Sequence, residues 1–151
     1  MKAMTAQVTT EEIHWVQDHL SKEECEWFLK LKVYEQRHCI DVAHLLNDWS
    51  HGQNEMIRLG LLHDIGKSVY PLNPIEKSLI VVLDYLSKGK IQKYQKLKMV
   101  KCYYQHGELG YHILKQLGIE EQCFLEQVRN HHQNHSKDQR IQLLQKADNQ
   151  C

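Results

Sequence analysis

Several features that mark other classes of protein are scarce in this sequence. Proline occurs twice and glycine seven times in 151 residues, and no Gly/Ser-rich stretch or repeat divides the chain. The longest apolar run, Leu79–Leu83, is far shorter than the ~20 residues that a membrane-spanning helix needs. The first residues hold no apolar stretch typical of a signal peptide. The sequence therefore predicts a single domain over residues 1–151 and a cytoplasmic location.

An excess of charge of one sign is also missing. Nineteen Lys and Arg balance nineteen Asp and Glu, so the formal net charge is zero. Proteins that bind nucleic acid or anionic membranes usually carry a net basic charge. We therefore expect neither nucleic acid nor a membrane among the partners. The Lys-rich run Lys88–Lys101 is interpreted as the solvated face of a helix.

Cysteine is present without a pattern, whereas histidine is abundant. Five cysteines are scattered and form no C-x-x-C pair, which argues against a disulfide framework and against a zinc-thiolate site. We expect reduced thiols, some of them small core residues. Eleven histidines stand against two phenylalanines. Because histidine is the commonest metal ligand, their placement decides which chemistry is available.

Helix signals dominate the chain, and no segment alternates apolar and polar residues as a strand would. Four pairs have the spacing of a capping box: Thr9 and Glu12, Ser21 and Glu24, Asn73 and Glu76, and Ser136 and Gln139. The predicted helices lie near 10–19, 22–32, 34–50, 54–65, 74–88, 92–104, 107–117, 120–132 and 137–149. The sequence predicts an all-α fold, with N-terminal helices over residues 1–32 and a helical core over residues 33–151.

The helix predicted over 74–88 carries apolar residues at helical spacing. Ile75, Leu79, Val82 and Leu86 recur every three or four residues, so we expect them to form its buried face. The surrounding segment, 70–99, is interpreted as a solvated connection, with a lid or a surface for a homodimer as the other options.

An adjacent histidine and carboxylate, His63 and Asp64, end the apolar helix predicted over 54–65. Neighbouring helical residues project about 100° apart, so one metal ion lying between the two side chains could be held by both. A half-buried histidine beside an ordinary helix-terminal carboxylate is an equal alternative. Asp148 shares the apolar face of Leu144, where a carboxylate is costly unless it is paired or bound to a cation.

Further histidines occupy comparable positions. His38 lies on the apolar face of the helix over 34–50, His106 lies where one predicted helix ends and the next begins, and His131 and His132 end the helix predicted over 120–132. Each alone is more often structural than a ligand. Together they supply four helix-borne histidine positions that could converge with the two carboxylates on one pocket. His135 could replace one member of the adjacent pair.

These residues, in this order, resemble the HD-domain metal-dependent phosphohydrolases, which are named for their His-Asp pair. The matching positions are His38, the pair His63-Asp64, His106 in a His-Gly-x-x-Gly setting, the pair His131-His132, and Asp148 in Lys-Ala-Asp. The resemblance implies a helical HD-domain bundle with a central metal site. It implies that one metal is held by His38, His63, Asp64 and Asp148. A second would be held by His106, His131 and His132, with Asp64 bridging.

The implied activity is hydrolysis of a small phosphoester, with a nucleotide favoured, by water activated on one or two divalent metal ions. Imidazole and carboxylate ligands suit Mn, Fe, Co, Ni or Zn, and Mg is a further candidate. Asp64 and Lys67 are the expected catalytic residues, because Lys67 in the His-Asp-x-Gly-Lys form would face the phosphate. No Gly-Tyr-Pro motif follows His132, which argues against the substrate of the cyclic-dinucleotide phosphodiesterase branch.

Two other functions remain open at the level of sequence. The first is a signalling module that keeps the HD metal pocket and binds a nucleotide without hydrolysing it. The second is a helical domain in which the histidines are purely structural or bind metal without a phosphoester.

Overall fold

The computed structural model describes residues 7–151. Residues 1–6 lie outside the described part of the chain. The prediction that the first residues form no signal peptide concerns these residues. The α-helices are α1 (Thr10–His19), α2 (Lys22–Phe28), α3 (Val33–Trp49), α4 (Asn54–Leu62), α5 (Pro74–Ser87), α6 (Lys98–Gln116), α7 (Gln122–Arg129) and α8 (Gln139–Asp148). Two 3-10 helices, Ile65–Val69 and Lys90–Tyr94, precede and follow α5. No strand occurs among the described residues, so the predicted all-α fold is confirmed.

The core lies where α3 crosses α4. Ile40 and Leu46 from α3 and Leu59 and Leu62 from α4 are fully buried, and each contributes about 1.5–3 kcal/mol through the hydrophobic effect. Helix α8 packs on α3 and α4, while α7 packs on α4 and α6. Helix α6 also lies against the first 3-10 helix. No helix in the described range is both long enough and apolar enough to cross a bilayer.

Three of the four predicted capping boxes are confirmed, at Thr9, Ser21 and Asn73. The fourth is wrong, because α8 begins after Asp138 rather than after Ser136. The Asp138 carboxylate accepts hydrogen bonds from the backbone N–H groups of Arg140 and Ile141. The Ser136 hydroxyl accepts one from the N–H of Asp138 instead. A carboxylate directly before the first helical residue is the stronger acceptor for these free donors.

The predicted buried face of α5 is wrong. Ile75, Leu79, Val82 and Leu86 are all exposed, and Ile80 is the buried residue of this helix. The helix is apolar on most of its circumference, so its periodicity does not single out one stripe. Which side faces the protein is decided by contacts with α6 and the second 3-10 helix.

Several predicted boundaries shift where the candidate ligands lie. Helix α4 ends at Leu62 and α7 ends at Arg129, so both adjacent pairs lie just beyond a helix rather than on one. The helices predicted over 92–104 and 107–117 form one helix, α6, which is interrupted only by a kink at Gln105, with φ of −122°. Side chains at helix ends and kinks can turn toward a common point more freely than those within a regular helix.

A close backbone approach holds the first 3-10 helix against α6. A Cβ atom added at Gly66 would lie 1.8 Å from the carbonyl oxygen of His106. Only glycine allows this contact. Cys25, Cys39 and Cys102 are reduced thiols and are buried, as expected for small core residues.

Candidate metal centre

Asp64 lies at the centre of a cluster that contains all seven predicted ligands. Asp64 is buried at 2% exposure, and its two carboxylate oxygens point to different groups of histidines. The residues that surround it come from α3, from the ends of α4 and α7, from α6 and from α8. Five separate parts of the chain therefore meet at one carboxylate.

The first group faces Oδ2 of Asp64. The His63 Nε2 atom lies 3.4 Å from this oxygen, and the His38 Nε2 atom lies 3.9 Å from it. The Asp148 Oδ1 atom is 2.8 Å from His38 Nε2 and 3.9 Å from His63 Nε2. The ligand atoms of His38, His63 and Asp148 all lie within 4.8 Å of one another, close enough for a single ion.

The second group faces Oδ1 of Asp64. The Nε2 atoms of His106 and His131 lie 3.3 Å and 3.5 Å from this oxygen. The Nε2 atoms of His106 and His132 are 2.9 Å apart. Asp64, His106, His131 and His132 also offer ligand atoms within 4.8 Å of one another. Asp64 therefore lies between the two groups, with one carboxylate oxygen toward each.

Backbone carbonyls orient three of these imidazoles. The Nδ1 atoms of His63, His106 and His131 lie 2.8 Å, 3.1 Å and 2.7 Å from the carbonyl oxygens of Gly60, Tyr103 and Val128. A carbonyl can only accept a hydrogen bond, so Nδ1 is the donor in each case. In the neutral ring, Nε2 then carries the free lone pair and faces the cluster. Metal-ligating histidines are commonly oriented in this way.

Three buried polar atoms of the cluster have no hydrogen-bond partner: His63 Nε2, Asp64 Oδ1 and His131 Nε2. Buried polar atoms without partners are rare and costly, at about 1–3 kcal/mol each. All three are lone-pair donors that point into the cluster. An imidazole and carboxylate donor set of this kind fits a mid-sized divalent cation.

The electrostatics of the carboxylates suit a cation. Burial alone would raise the pKa of Asp64, but the charges of Lys67 and His63 outweigh it and hold the pKa well below its usual value. Burial opposes ionisation of Asp148 too, yet its hydrogen bond with His38 lowers the pKa to about 2. Both side chains are therefore anionic at neutral pH, the form in which they bind metals.

The pKa values of three imidazoles are shifted in different directions. Burial lowers the pKa of His106 and of His132 to about 4, so both are neutral ligands at pH 7. Burial would also lower the pKa of His63, but the charge of Asp64 outweighs it and the pKa is raised. A proton on His63 competes with a cation, so binding of a metal there releases it.

Lys67 contacts Asp64 of the cluster and also Glu35, a residue that the sequence analysis did not identify. Its Nζ atom lies 2.5 Å from Asp64 Oδ2 and 3.1 Å from Glu35 Oε2. The other oxygen of Glu35 lies 2.8 Å from Nζ of Lys77 on α5. Glu35 is buried on α3 and precedes His38 by three residues. This helical spacing places the two side chains on one face, and it was the sequence signal that could have identified Glu35.

A cavity of about 420 Å³ opens beside the cluster. His106, His132 and Lys67 form its inner wall, and apolar and aromatic residues form much of the remainder. The aromatic residues that line it are Tyr34, Tyr70, Tyr103 and Tyr104. A cavity of this volume accepts a small organic ligand.

One further histidine, His135, and one arginine, Arg37, lie outside the cluster. His135 is exposed and belongs to none of the candidate metal groups among the described residues. Arg37, which adjoins His38, forms ion pairs with Glu12 and Asp41. Its side chain is therefore engaged by acidic neighbours.

Comparison with known proteins yields one family. Residues 36–150 match the family model of the HD domain, which covers most of the chain. No curated protein and no solved structure gives a significant match.

Proposed function

We propose that this chain, which belongs to the HD-domain family and so to the superfamily of metal-dependent hydrolases, cleaves a small phosphoester. A nucleotide is the favoured substrate, and one or two divalent cations are the required cofactors. The proposal is supported by the position of each motif residue around Asp64. It identifies Asp64 and Lys67 as catalytic residues.

The observation that carries the proposal is the set of three unpartnered buried atoms at His63, Asp64 and His131. A structural cluster would be expected to pair these atoms with donors, because leaving them unpaired lowers the stability of the fold. A cation beside His63 and a second beside Asp64 Oδ1 and His131 would together satisfy all three. The cost of leaving these atoms unpaired is acceptable where the site serves a function.

The residues divide into two ligand sets. His38, His63, Asp64 and Asp148 would hold one cation, and Asp64, His106, His131 and His132 would hold a second. A bound divalent cation supplies a Lewis acid for the phosphoryl oxygen and lowers the pKa of water. Asp64 contributes to both sets because its two oxygens face opposite groups.

Lys67 would bind the phosphoryl group. Its ammonium lines the cavity beside His106 and His132, and carboxylates at Asp64 and Glu35 raise its pKa above the usual value although burial opposes this. The side chain is therefore cationic at any physiological pH. A fixed positive charge at this position stabilises the negative charge that builds up on the phosphoryl oxygens in the transition state.

The cavity supports a substrate with a planar or apolar part. Tyr34, Tyr70, Tyr103 and Tyr104 line it, and aromatic rings stack readily on a nucleobase. A phosphoester held at the inner wall by Lys67 would place its organic group among these tyrosines. A nucleotide meets both requirements.

Phosphate release tests the proposal. Purified protein is supplied with Mn²⁺, Co²⁺, Ni²⁺, Zn²⁺, Fe²⁺ or Mg²⁺ and screened against nucleotides and simple phosphoesters. We expect metal-stimulated release that disappears in the double variant H63A/D64A and persists in H14A/D18A. The control removes a histidine and an aspartate that are exposed on α1.

Three outcomes contradict the proposal in different ways. Activity that survives in H63A/D64A would exclude this cluster as the catalytic centre. Tight nucleotide binding without turnover under every metal would identify the non-catalytic signalling module. Chelation that changes only stability, with no phosphoester bound, would leave a structural metal domain.

Metal stoichiometry tests the two ligand sets separately. Elemental analysis of protein purified without added metal gives the number of metal ions per chain. We expect H132A and D148A each to lower this ratio, because each variant removes a ligand from a different set. A ratio near two would support the binuclear arrangement. A ratio near one that only D148A lowers would leave the His38, His63, Asp64 and Asp148 set alone.

A further inference from the structure

Helix α5 presents an apolar surface that nothing in the described fold covers. Ile75, Tyr85 and Leu86 are 80%, 82% and 70% exposed, whereas Ile80 is fully buried. The other exposed apolar residues of this helix are Leu79, Val81, Val82 and Leu83. A contiguous stretch of exposed aliphatic residues on a folded domain marks an interaction surface.

The segment that follows α5 carries several lysines and no acidic residue that would balance their charge. Its six lysines, all exposed, are Lys88, Lys90, Lys93, Lys96, Lys98 and Lys101. Between Tyr85 and Gly107 the chain contains no Asp or Glu. None of the six lysines forms an ion pair with a described residue, in contrast to Lys67 and Lys77. We call these residues the lysine run.

The lysine run lies next to the apolar helix. The 3-10 helix Lys90–Tyr94, which carries two of its members, packs against both α5 and α6. Tyr94 and Leu97 in the same segment are 65% and 57% exposed and extend the apolar surface. Aliphatic residues bordered by lysine and tyrosine form the pattern of a helix that lies in the interface of a bilayer.

Charge distinguishes the candidate occupants of this surface. A second copy of the chain would bind through a two-fold interface in which the same patch faces itself. The lysine run would then approach its own copy, and the like charges would repel. An anionic bilayer instead offers negative headgroups to the lysines and an acyl boundary to Ile75, Leu79 and Leu86.

We propose that α5 and the lysine run dock this protein on an anionic lipid surface. The helix would lie in the plane of the interface, which needs no membrane-spanning segment. The neutral net charge of the chain, which led us to expect no membrane partner, does not oppose this docking. A bilayer responds to charges within about one screening length, roughly 10 Å at 0.1 M salt, and the lysine run is free of acidic residues.

Sedimentation with vesicles tests the proposal on the full chain. The vesicles contain phosphatidylcholine alone or phosphatidylcholine with about 30% phosphatidylserine. We expect binding to the anionic vesicles that weakens at about 0.5 M salt, and much weaker binding to the neutral ones. The variant K90Q/K93Q/K96Q should bind about a hundredfold more weakly, and I75Q/L86Q about tenfold or more.

Matched controls separate docking from general loss of charge or apolarity. K22Q/K115Q/K137Q removes three exposed lysines elsewhere, and L29Q/V33Q removes two exposed aliphatic residues near α2 and α3. Both should bind anionic vesicles like the unmodified chain. Circular dichroism confirms that each variant keeps its helix content, which is expected because all substituted side chains are exposed.

Several outcomes would overturn the proposal. These are no binding to anionic vesicles, equal binding to neutral ones, or equal loss in the controls. A second overturning result is a dimer in light scattering that I75Q/L86Q converts to a monomer, together with no vesicle binding by the unmodified chain. A second copy of the chain would then be the occupant of α5.

Discussion

At the scale of single residues, Asp64 is the carboxylate on which the candidate ligands converge. It is buried, it contacts Lys67, and its oxygens face His63 on one side and His106 and His131 on the other. A carboxylate in such a position is stable only if positive charge compensates it. Lys67 provides that charge in the protein itself, and a cation would add to it.

Glu35 should contribute to stability through its two lysines. The variant E35Q keeps the shape of the side chain but removes the negative charge that Lys67 and Lys77 share. We expect the free energy of unfolding to fall by about 2–3 kcal/mol, because charged hydrogen bonds to a buried carboxylate are lost. Urea denaturation measures this change.

The control for this variant is E120Q, which alters an exposed glutamate and should change the free energy of unfolding by less than about 0.5 kcal/mol. Equal stability of E35Q and E120Q would show that the Glu35 ion pairs contribute nothing.

At the scale of elements, the ends of helices place the candidate ligands. His63 is the C-terminal cap of α4, His131 and His132 follow α7, and Asp148 is the last residue of α8. The first 3-10 helix fixes Asp64 and Lys67 relative to α6. Small changes at these ends should therefore affect the cluster more than changes within the helices.

The cap of α8 should make stability depend on pH. The pKa of Asp138 is lowered despite burial, because Gln127 and two backbone N–H groups donate to its carboxylate. Its folded pKa is below its unfolded pKa, so its stabilising contribution is complete above the unfolded value, about 4. The contribution is lost as the pH falls through the folded value.

The variant D138A should lower the free energy of unfolding by about 0.5–2 kcal/mol at pH 7. The variant D138N keeps an acceptor at the cap but does not titrate, so its difference from the unmodified chain should shrink below about pH 4. Urea denaturation across this pH range measures both. A difference for D138N that stays constant with pH would contradict the assigned cause.

Substitution of Gly66 should separate the first 3-10 helix from α6. In G66A the new Cβ would meet the backbone carbonyl of His106, which cannot rotate away, so we expect a loss of about 3 kcal/mol or more. In G110A the nearest atom is a Val128 methyl at 3.1 Å, so the loss should be smaller. Urea denaturation of both variants tests this order, and a reversed order would contradict it.

At the scale of the whole molecule, the cluster joins elements that are far apart in the chain. Ligand candidates run from His38 to Asp148, so one cation would crosslink α3, the end of α4 and α8, and a second would link Asp64 to α6 and the end of α7. A ligand that binds only the folded state stabilises it by mass action. Metal binding is therefore measurable without any substrate.

Metal addition should raise the melting temperature. At a free Mn²⁺ concentration about 100 times its Kd, the stabilisation is about 2.7 kcal/mol, which corresponds to about 5–10 °C for a chain of this size. Chelation should reverse it, and D148A should reduce it. Differential scanning calorimetry measures the shift, and an unchanged melting temperature with saturating metal would contradict a structural link between these elements.

Local rules account for the parts of the fold that could be predicted. The caps at Thr9, Ser21 and Asn73 depend on residues three positions apart, so the chain carries them without its tertiary structure. The buried side of α5 depends on neighbours instead, because its apolar residues occupy most of the helix circumference and leave that side undefined. Glu35 was missed for the same reason, since its partners Lys67 and Lys77 lie far along the chain.

The order and the types of the motif residues determined the family and the identities of the candidate ligands, because adjacent and helically spaced residues keep their relations in any helical fold. Only the tertiary structure decided that Oδ1 and Oδ2 of Asp64 face separate histidine groups, and that α5 leaves its apolar side uncovered. These features depend on distances between residues far apart in the chain. Packing of whole helices sets such distances, and no local pattern contains them.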